Sequence, residues 1–230
     1  MKKVIFALCT LVLATSCIYS VNLKLGNRVV CKGEVETHEM ELGPFSQVVL
    51  NGAADLKITQ KEACTVKVVA NEEVFDYLDF RVEDDVLILE TKKDGKTVQI
   101  SAKTFCIHIS APVLESLTVN GAADAEMEDY SADKDFALTI NGAGDLEMES
   151  IKVPTLSFLI NGAGDLEVSD IDVETLNISV NGAGDVEVSG KAGSASMRVT
   201  GAGDIDASGL DCPNIEKSKT GAASIRIRNK

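Results

Sequence analysis

Residues 161–170 read NGAGDLEVSD; twenty residues earlier the chain reads NGAGDLEMES, and twenty later NGAGDVEVSG. Variants of the phrase begin at Asn51, Asn120, Asn141, Asn161, Asn181, Thr200 and Thr220, at intervals of 69, 21, 20, 20, 19 and 20 residues. A fixed period near twenty marks a repeat architecture in which each unit buries its apolar side only against its neighbours. Before each phrase the apolar residues alternate: Phe136, Leu138, Ile140; Leu156, Phe158, Ile160; Leu176, Ile178, Val180. The alternation resumes afterwards with Leu146 and Met148, Leu166 and Val168, Val186 and Val188. Period two is the signature of a half-buried strand.

At about 3.3 Å per residue, twenty extended residues trace a perimeter of about 66 Å. That length suits one turn of a coil with three short sides, stacked about 4.8 Å apart. The expected fold is therefore all-β, a right-handed parallel β-helix solenoid with coils of about twenty residues. In this reading the phrase recurs because a corner recurs. Gly142, Gly162, Gly182, Gly201 and Gly221 supply the positive φ that a sharp corner needs. Asn51, Asn120, Asn141, Asn161 and Asn181 would form a side-chain ladder.

The 69-residue first interval is too long for one coil. It holds further strand-like runs and NEEVFDYLDF, whose Val74, Tyr77 and Leu78 have helical spacing. Residues 40–119 are expected to be irregular first coils with a hairpin and a short helix, and 120–228 regular coils, together forming one domain. Lys217 and Lys219 stand where Met197 and Val199 stood one repeat earlier, and Arg226, Arg228 and Lys230 follow. Positive charge on a final strand blunts edge-to-edge growth, so these residues read as a cap.

Residues 1–17, MKKVIFALCTLVLATSC, combine a basic start, a short apolar run and small residues before Cys17. This is an export signal, too short to span a bilayer. Ala14-Thr15-Ser16-Cys17 resembles a bacterial lipobox, which implies cleavage before Cys17 and its acylation; Ala14 stands where leucine is more usual. Acylation would anchor the chain without a spanning helix. Residues 18–39 then form a tether and lead-in segment. The expected location is the outer membrane, on its periplasmic or cell-surface face. Cys31, Cys64, Cys106 and Cys212 remain; an oxidising envelope permits disulfides, and the sequence leaves their pairing open.

The formal charge of −14 becomes −16 once Lys2 and Lys3 leave with the signal. Such a surface disfavours nucleic acid. With Leu146, Leu166 and Val186 facing inward, their neighbours face out: Asp124, Asp145, Asp165, Asp185 and Asp204 in one column, and Glu126, Glu147, Glu167, Glu187 and Asp206 in the next. The Asp column would accept hydrogen bonds from corner N–H groups. Calcium bridging is the alternative, since calcium takes six to eight oxygens; no cofactor is otherwise indicated.

The export signal, Phe45-x-x-Val48, the Asn-Gly-Ala-Gly-Asp corners and the closing Thr220-Gly221-Ala222-Ala223-Ser224 together resemble the "putative auto-transporter adhesin, head GIN domain" family over roughly residues 40–228. The resemblance implies a right-handed parallel β-helix in a bacterial envelope protein, and it carries no catalytic residues. Together these features describe a non-enzymatic, adhesin-like lipoprotein: a membrane partner through its lipid, and a protein or glycan ligand. The alternatives are a polysaccharide-active enzyme and a purely structural envelope protein. The acids supply many pairs without selecting one, there is no Trp to stack a sugar, and His38 and His108 lack a partnered nucleophile.

Overall fold

The computed structural model describes residues 28–228. The signal, Cys17, the tether through residue 27, and residues 229–230 lie outside the described residues. The early strands are β1 (Arg28–Cys31), β2 (Val35–Met40), β3 (Gln47–Ala53), β4 (Asp55–Gln60), β5 (Thr65–Asn71), β6 (Leu78–Glu83), β7 (Val86–Lys93), β8 (Lys96–Thr97), β9 (Gln99–Ala102) and β10 (Phe105–Ala111). The later ones are β11 (Ser116–Ala122), β12 (Ala125–Ser131), β13 (Phe136–Gly182), β14 (Val186–Gly201), β15 (Asp204–Asp211), β16 (Asn214–Gly221) and β17 (Ser224–Ile227). The helical spacing in NEEVFDYLDF becomes a single 3₁₀ segment, Glu72–Tyr77.

The expected right-handed parallel β-helix is corrected by the sheet topology. The chain forms one mixed sheet of 15 strands, curled into a half-barrel, with β1 and β9 pairing separately. Among its pairs β2–β5, β5–β10, β6–β7 and β7–β8 are antiparallel. For β6–β7 and β7–β8 the reason is local. Asp84 and Asp85 both take positive φ (48° and 67°), as do Asp94 and Gly95 (51° and 73°). Two consecutive left-handed residues make the tight hairpin turn whose twist suits antiparallel strands. Alternating apolar residues specify a strand and its buried face, but not the direction of its neighbour.

Where the phrase recurs, pairing is parallel and in register. Val48, Leu50, Asn51 and Gly52 pair with Leu117, Val119, Asn120 and Gly121, and these with Leu138, Ile140, Asn141 and Gly142. At the far end Ile178, Val180 and Gly182 pair with Met197, Val199 and Gly201. Like residues thus lie over like, and the apolar ones fill the inside of the curl: Val48, Val119, Ile140, Ile160, Val180 and Val199 are fully buried. Beyond the corner, Leu56, Leu146, Leu166, Val186 and Ile205 form a second buried column. Each such side chain contributes about 1.5–3 kcal/mol by leaving water.

The corner has a stricter demand than volume. Gly142, Gly162 and Gly182 sit at φ 152°, 153° and 152°. A Cβ on any of them would overlap the carbonyl oxygen of the glycine one rung back: Gly121, Gly142 or Gly162 respectively. Two physical constraints, conformation and close backbone approach, therefore fall on one position.

Candidate functional site

Asparagines at the first position of the phrase face outward and join in one chain. Asn120 Nδ2 donates to Asn51 Oδ1 at 2.8 Å, Asn141 to Asn120 at 2.8 Å, Asn161 to Asn141 at 2.8 Å, and Asn181 to Asn161 at 2.9 Å. All four amides point the same way. At the donor end Asn51 Nδ2 donates to Glu90 Oε1 at 2.7 Å, so a carboxylate terminates the ladder. Lys92 and Arg81 also bond Glu90, Arg81 at 3.0 Å. The Lys92 hydrogen bond first, then those from Arg81 and Asn51, overcome the cost of burial and hold the Glu90 carboxyl at about 2. The anion at the donor end polarises the amide chain in the direction its dipoles already point. Glu90 is invisible as a repeat member because it ends VLILE rather than NGAGD. Its signal was the alternation itself, which sets Glu90 opposite Asn51.

Across the corner, the Asp column is built into the backbone. Asp145 N donates to Asp124 Oδ1 at 3.4 Å, Asp185 N to Asp165 Oδ1 at 3.1 Å, Asp204 N to Asp185 Oδ1 at 2.9 Å, and Ser224 N to Asp204 Oδ1 at 2.8 Å. The Asp124, Asp165, Asp185 and Asp204 carboxylates therefore each hold the N–H of the rung beyond. At the start of this column Asp55 has its carboxyl pushed up, by burial first and then by the negative charges of Asp124 and Glu126, against the lowering effect of Lys57.

The next outward column is different. Glu126 lies over Glu147, Glu167 over Glu187, and Glu187 over Asp206. Cations close both ends: Lys57 Nζ lies 2.7 Å from Glu126, and Arg226 lies 3.6 Å from Asp206. Hydrogen bonds from Ser208, and then Arg226, hold the Asp206 carboxyl below its usual range. Among the described residues, no cation pairs with the middle of the column, Glu147, Glu167 and Glu187. Glu128 and Glu149 stand beside it and widen the acidic face. Among the described residues, no three His, Cys, Asp or Glu side chains converge as metal ligands would.

A column on the following face shows that stacking need not repel. Lys152 pairs with Asp172 at 3.3 Å, and Asp172, Lys191 and Asp211 follow in register. Charge alternates there at the same strand spacing, a pattern hidden in sequence because it lies outside the phrase.

A groove runs between β9 and the outer surface of the first corners. Its two lobes hold about 640 and 670 Å³ and share Ala53, Ile100 and Ala122. Gly52, Gly121 and Ala143 extend the floor, while Arg28 and Lys103 stand at the rim.

Other singled-out residues take ordinary roles. Cys31, Cys64, Cys106 and Cys212 are all free thiols; burial, then Glu73, pushes the Cys31 thiol up. His38 stacks on Phe75 with centroids 3.9 Å apart and reaches Glu36 at 2.8 Å. Burial, then Lys67, lowers the His108 imidazole. Lys217 and Lys219 are exposed on β16, and Lys219 Nζ donates to Ala223 O at 3.0 Å.

A family model described as "Putative auto-transporter adhesin, head GIN domain" matches residues 44–230. The chain resembles a solved "putative lipid binding protein" from Parabacteroides distasonis at 20% identity and TM-score 0.73, covering 89% of this chain and 98% of that one. It also resembles a "putative adhesin" from Bacteroides fragilis at 16% identity and TM-score 0.63, covering 86% and 98%. A second "putative adhesin" from P. distasonis has 16% identity and TM-score 0.57, covering 86% and 99%. At these identities the likeness is one of fold. Among curated proteins none matches the sequence.

Proposed function

Because the chain belongs to the auto-transporter adhesin head GIN family, we propose that it is a non-enzymatic, adhesin-like binding module displayed from the cell envelope. The export signal and Cys17 supply the route and the lipid anchor. A folded protein or glycan is the partner class, and the charge of −14 disfavours nucleic acid. The observation that carries this reading is the regular outer surface: stacked rungs repeat the same polar groups at one strand spacing, which presents many weak contacts to a partner at once. Multivalent contact multiplies affinity without any single deep pocket.

The test is binding of the purified chain to glycan and matrix-protein arrays, with reducing-end assays on the same polysaccharides. Saturable binding without turnover supports the reading, and turnover replaces it with an enzyme. Loss of membrane association on Cys17→Ala checks the anchor; retention removes it.

A second reading is lipid binding, favoured by the groove beside β9, whose floor of Gly52, Ala53, Gly121 and Ala122 is apolar and small. Its volume lies within the usual range of small-ligand pockets, about 300–1,000 Å³. Saturable uptake of a fluorescent fatty acid, lost when Ala122→Arg fills the floor, distinguishes it from the first.

A further inference from the structure

The sheet has two open ends, and their charges are opposite. At the first end the edge strands are β2, which pairs with β5 alone, and β6, which pairs with β7 alone. At the last end they are β16, pairing with β14 alone, and β17, pairing with β15 alone. All of β2 except Met40 is exposed, and Glu34, Glu36, Glu39 and Glu41 stand exposed along it. Along β6 the charges are already paired, Arg81 with Asp79, Glu83 and Glu90 and Lys92 with Asp79, so the acidic excess lies along β2. The first end is therefore acidic. The last end carries Lys217, Lys219, Arg226 and Arg228, all exposed, against Glu216. Among the described residues, no carboxylate lies within ion-pair distance of Lys217 or Arg228.

Beneath both charged rims apolar side chains are only half covered: Leu78, Phe80 and Val82 at the first end, Ile215, Ile225 and Ile227 at the last. The unpaired strand edges also leave a row of backbone donors and acceptors at each end. Lysines at both ends would keep copies apart. Opposite charge at the two ends does the reverse, and it selects one orientation.

We propose that the basic last end of one copy docks on the acidic first end of a second copy, continuing the sheet from protomer to protomer. β17 would lie against β2, and β16 against β6, because each pair continues the same face of the curl. Such a contact is heterologous, so it propagates beyond two copies, as an open chain or, where the rotation closes, as a ring. The net charge of −14 opposes approach only weakly at 0.1 M salt, where charges beyond about 10 Å are screened. The proposal is independent of which ligand the outer faces hold.

Sedimentation equilibrium of the purified chain tests it. At 0.1 M salt the weight-average mass should rise with concentration past that of a dimer, and fall back at 0.5 M salt. The double variant Lys217→Glu with Arg228→Glu has two acidic ends, and Glu36→Lys with Glu39→Lys has two basic ends. Each alone should remain at monomer mass with an unchanged far-ultraviolet circular dichroism spectrum, and an equimolar mixture should regain association. A wild-type chain that stays monomeric to millimolar concentration overturns the proposal. So does a mass that plateaus at the dimer, variants that associate like the wild type, or folded variants whose mixture stays monomeric.

Discussion

On either side of one glycine corner, two columns of polar side chains rise through the same rungs. Asparagines make up the first, and a carboxamide carries both a donor and an acceptor, so repetition links them. Glutamates make up the second, and repetition sets like charges one strand apart. Two unit charges 4–5 Å apart repel by about 1 kcal/mol in water. The in-register stack is thus imposed by the core and the glycine corner, and the outer columns either profit from it or bear it. The alternating Lys152, Asp172, Lys191 and Asp211 column shows that a neutral arrangement fits the same spacing.

The largest effect should come from the corner that imposes register on both columns. Gly162→Ala places a methyl against the Gly142 carbonyl at φ 153°, and should cost more than about 3 kcal/mol or prevent folding. Ala163→Ser, at an exposed neighbour, is the control. Urea unfolding of both separates backbone constraint from local polarity.

Acid should act next, through the end of the asparagine column. The Glu90 carboxyl is held at about 2 against an ordinary 4.5. A lowered carboxyl contributes stability that is fully present above the ordinary value and is lost as pH falls through the folded one. The loss should therefore run from about pH 4.5 to about 2 and, discounted for solvent around Arg81 and Lys92, amount to on the order of 1–2 kcal/mol. Glu90→Gln should flatten that part of the stability curve; an unchanged curve would separate Glu90 from the ladder's stability.

Within the ladder, Asn161→Ala removes the donor to Asn141 and the acceptor for Asn181. Its cost should be about 1 kcal/mol at this half-exposed site. The smallest effect should have the opposite sign. Glu167→Gln takes one charge from the middle of the glutamate column and should raise stability by no more than about 0.5 kcal/mol. Salt at 0.5 M should erase that gain. A destabilised Glu167→Gln would show that the column holds together by something other than the core beneath it.

Much of this was legible before any coordinates. The twenty-residue interval gave the rungs, the alternation gave the buried columns, and Asn at a fixed phase gave the ladder. The Asp column's bonding to backbone N–H followed from a short acceptor beside a glycine-rich corner. What was missed has two causes. The antiparallel direction of β6–β7 and β7–β8 depends on Asp84–Asp85 and Asp94–Gly95 entering left-handed turns, and only Asp-Gly is a strong hairpin signal. Glu90, the alternating charge column and the groove beside β9 all involve residues outside the phrase, so repetition could not announce them.

By itself, then, the sequence determined which residues are strand, which face of each strand is buried, and that like phrases stack on like. These are properties of period and volume, which are written locally. Only the tertiary structure decided that the sheet is mixed and curled, that a carboxylate with two cations ends the asparagine ladder, and that the two open ends carry opposite charge. Those depend on which distant strands become neighbours, a choice made by turn geometry and by the pairing energy of the whole sheet.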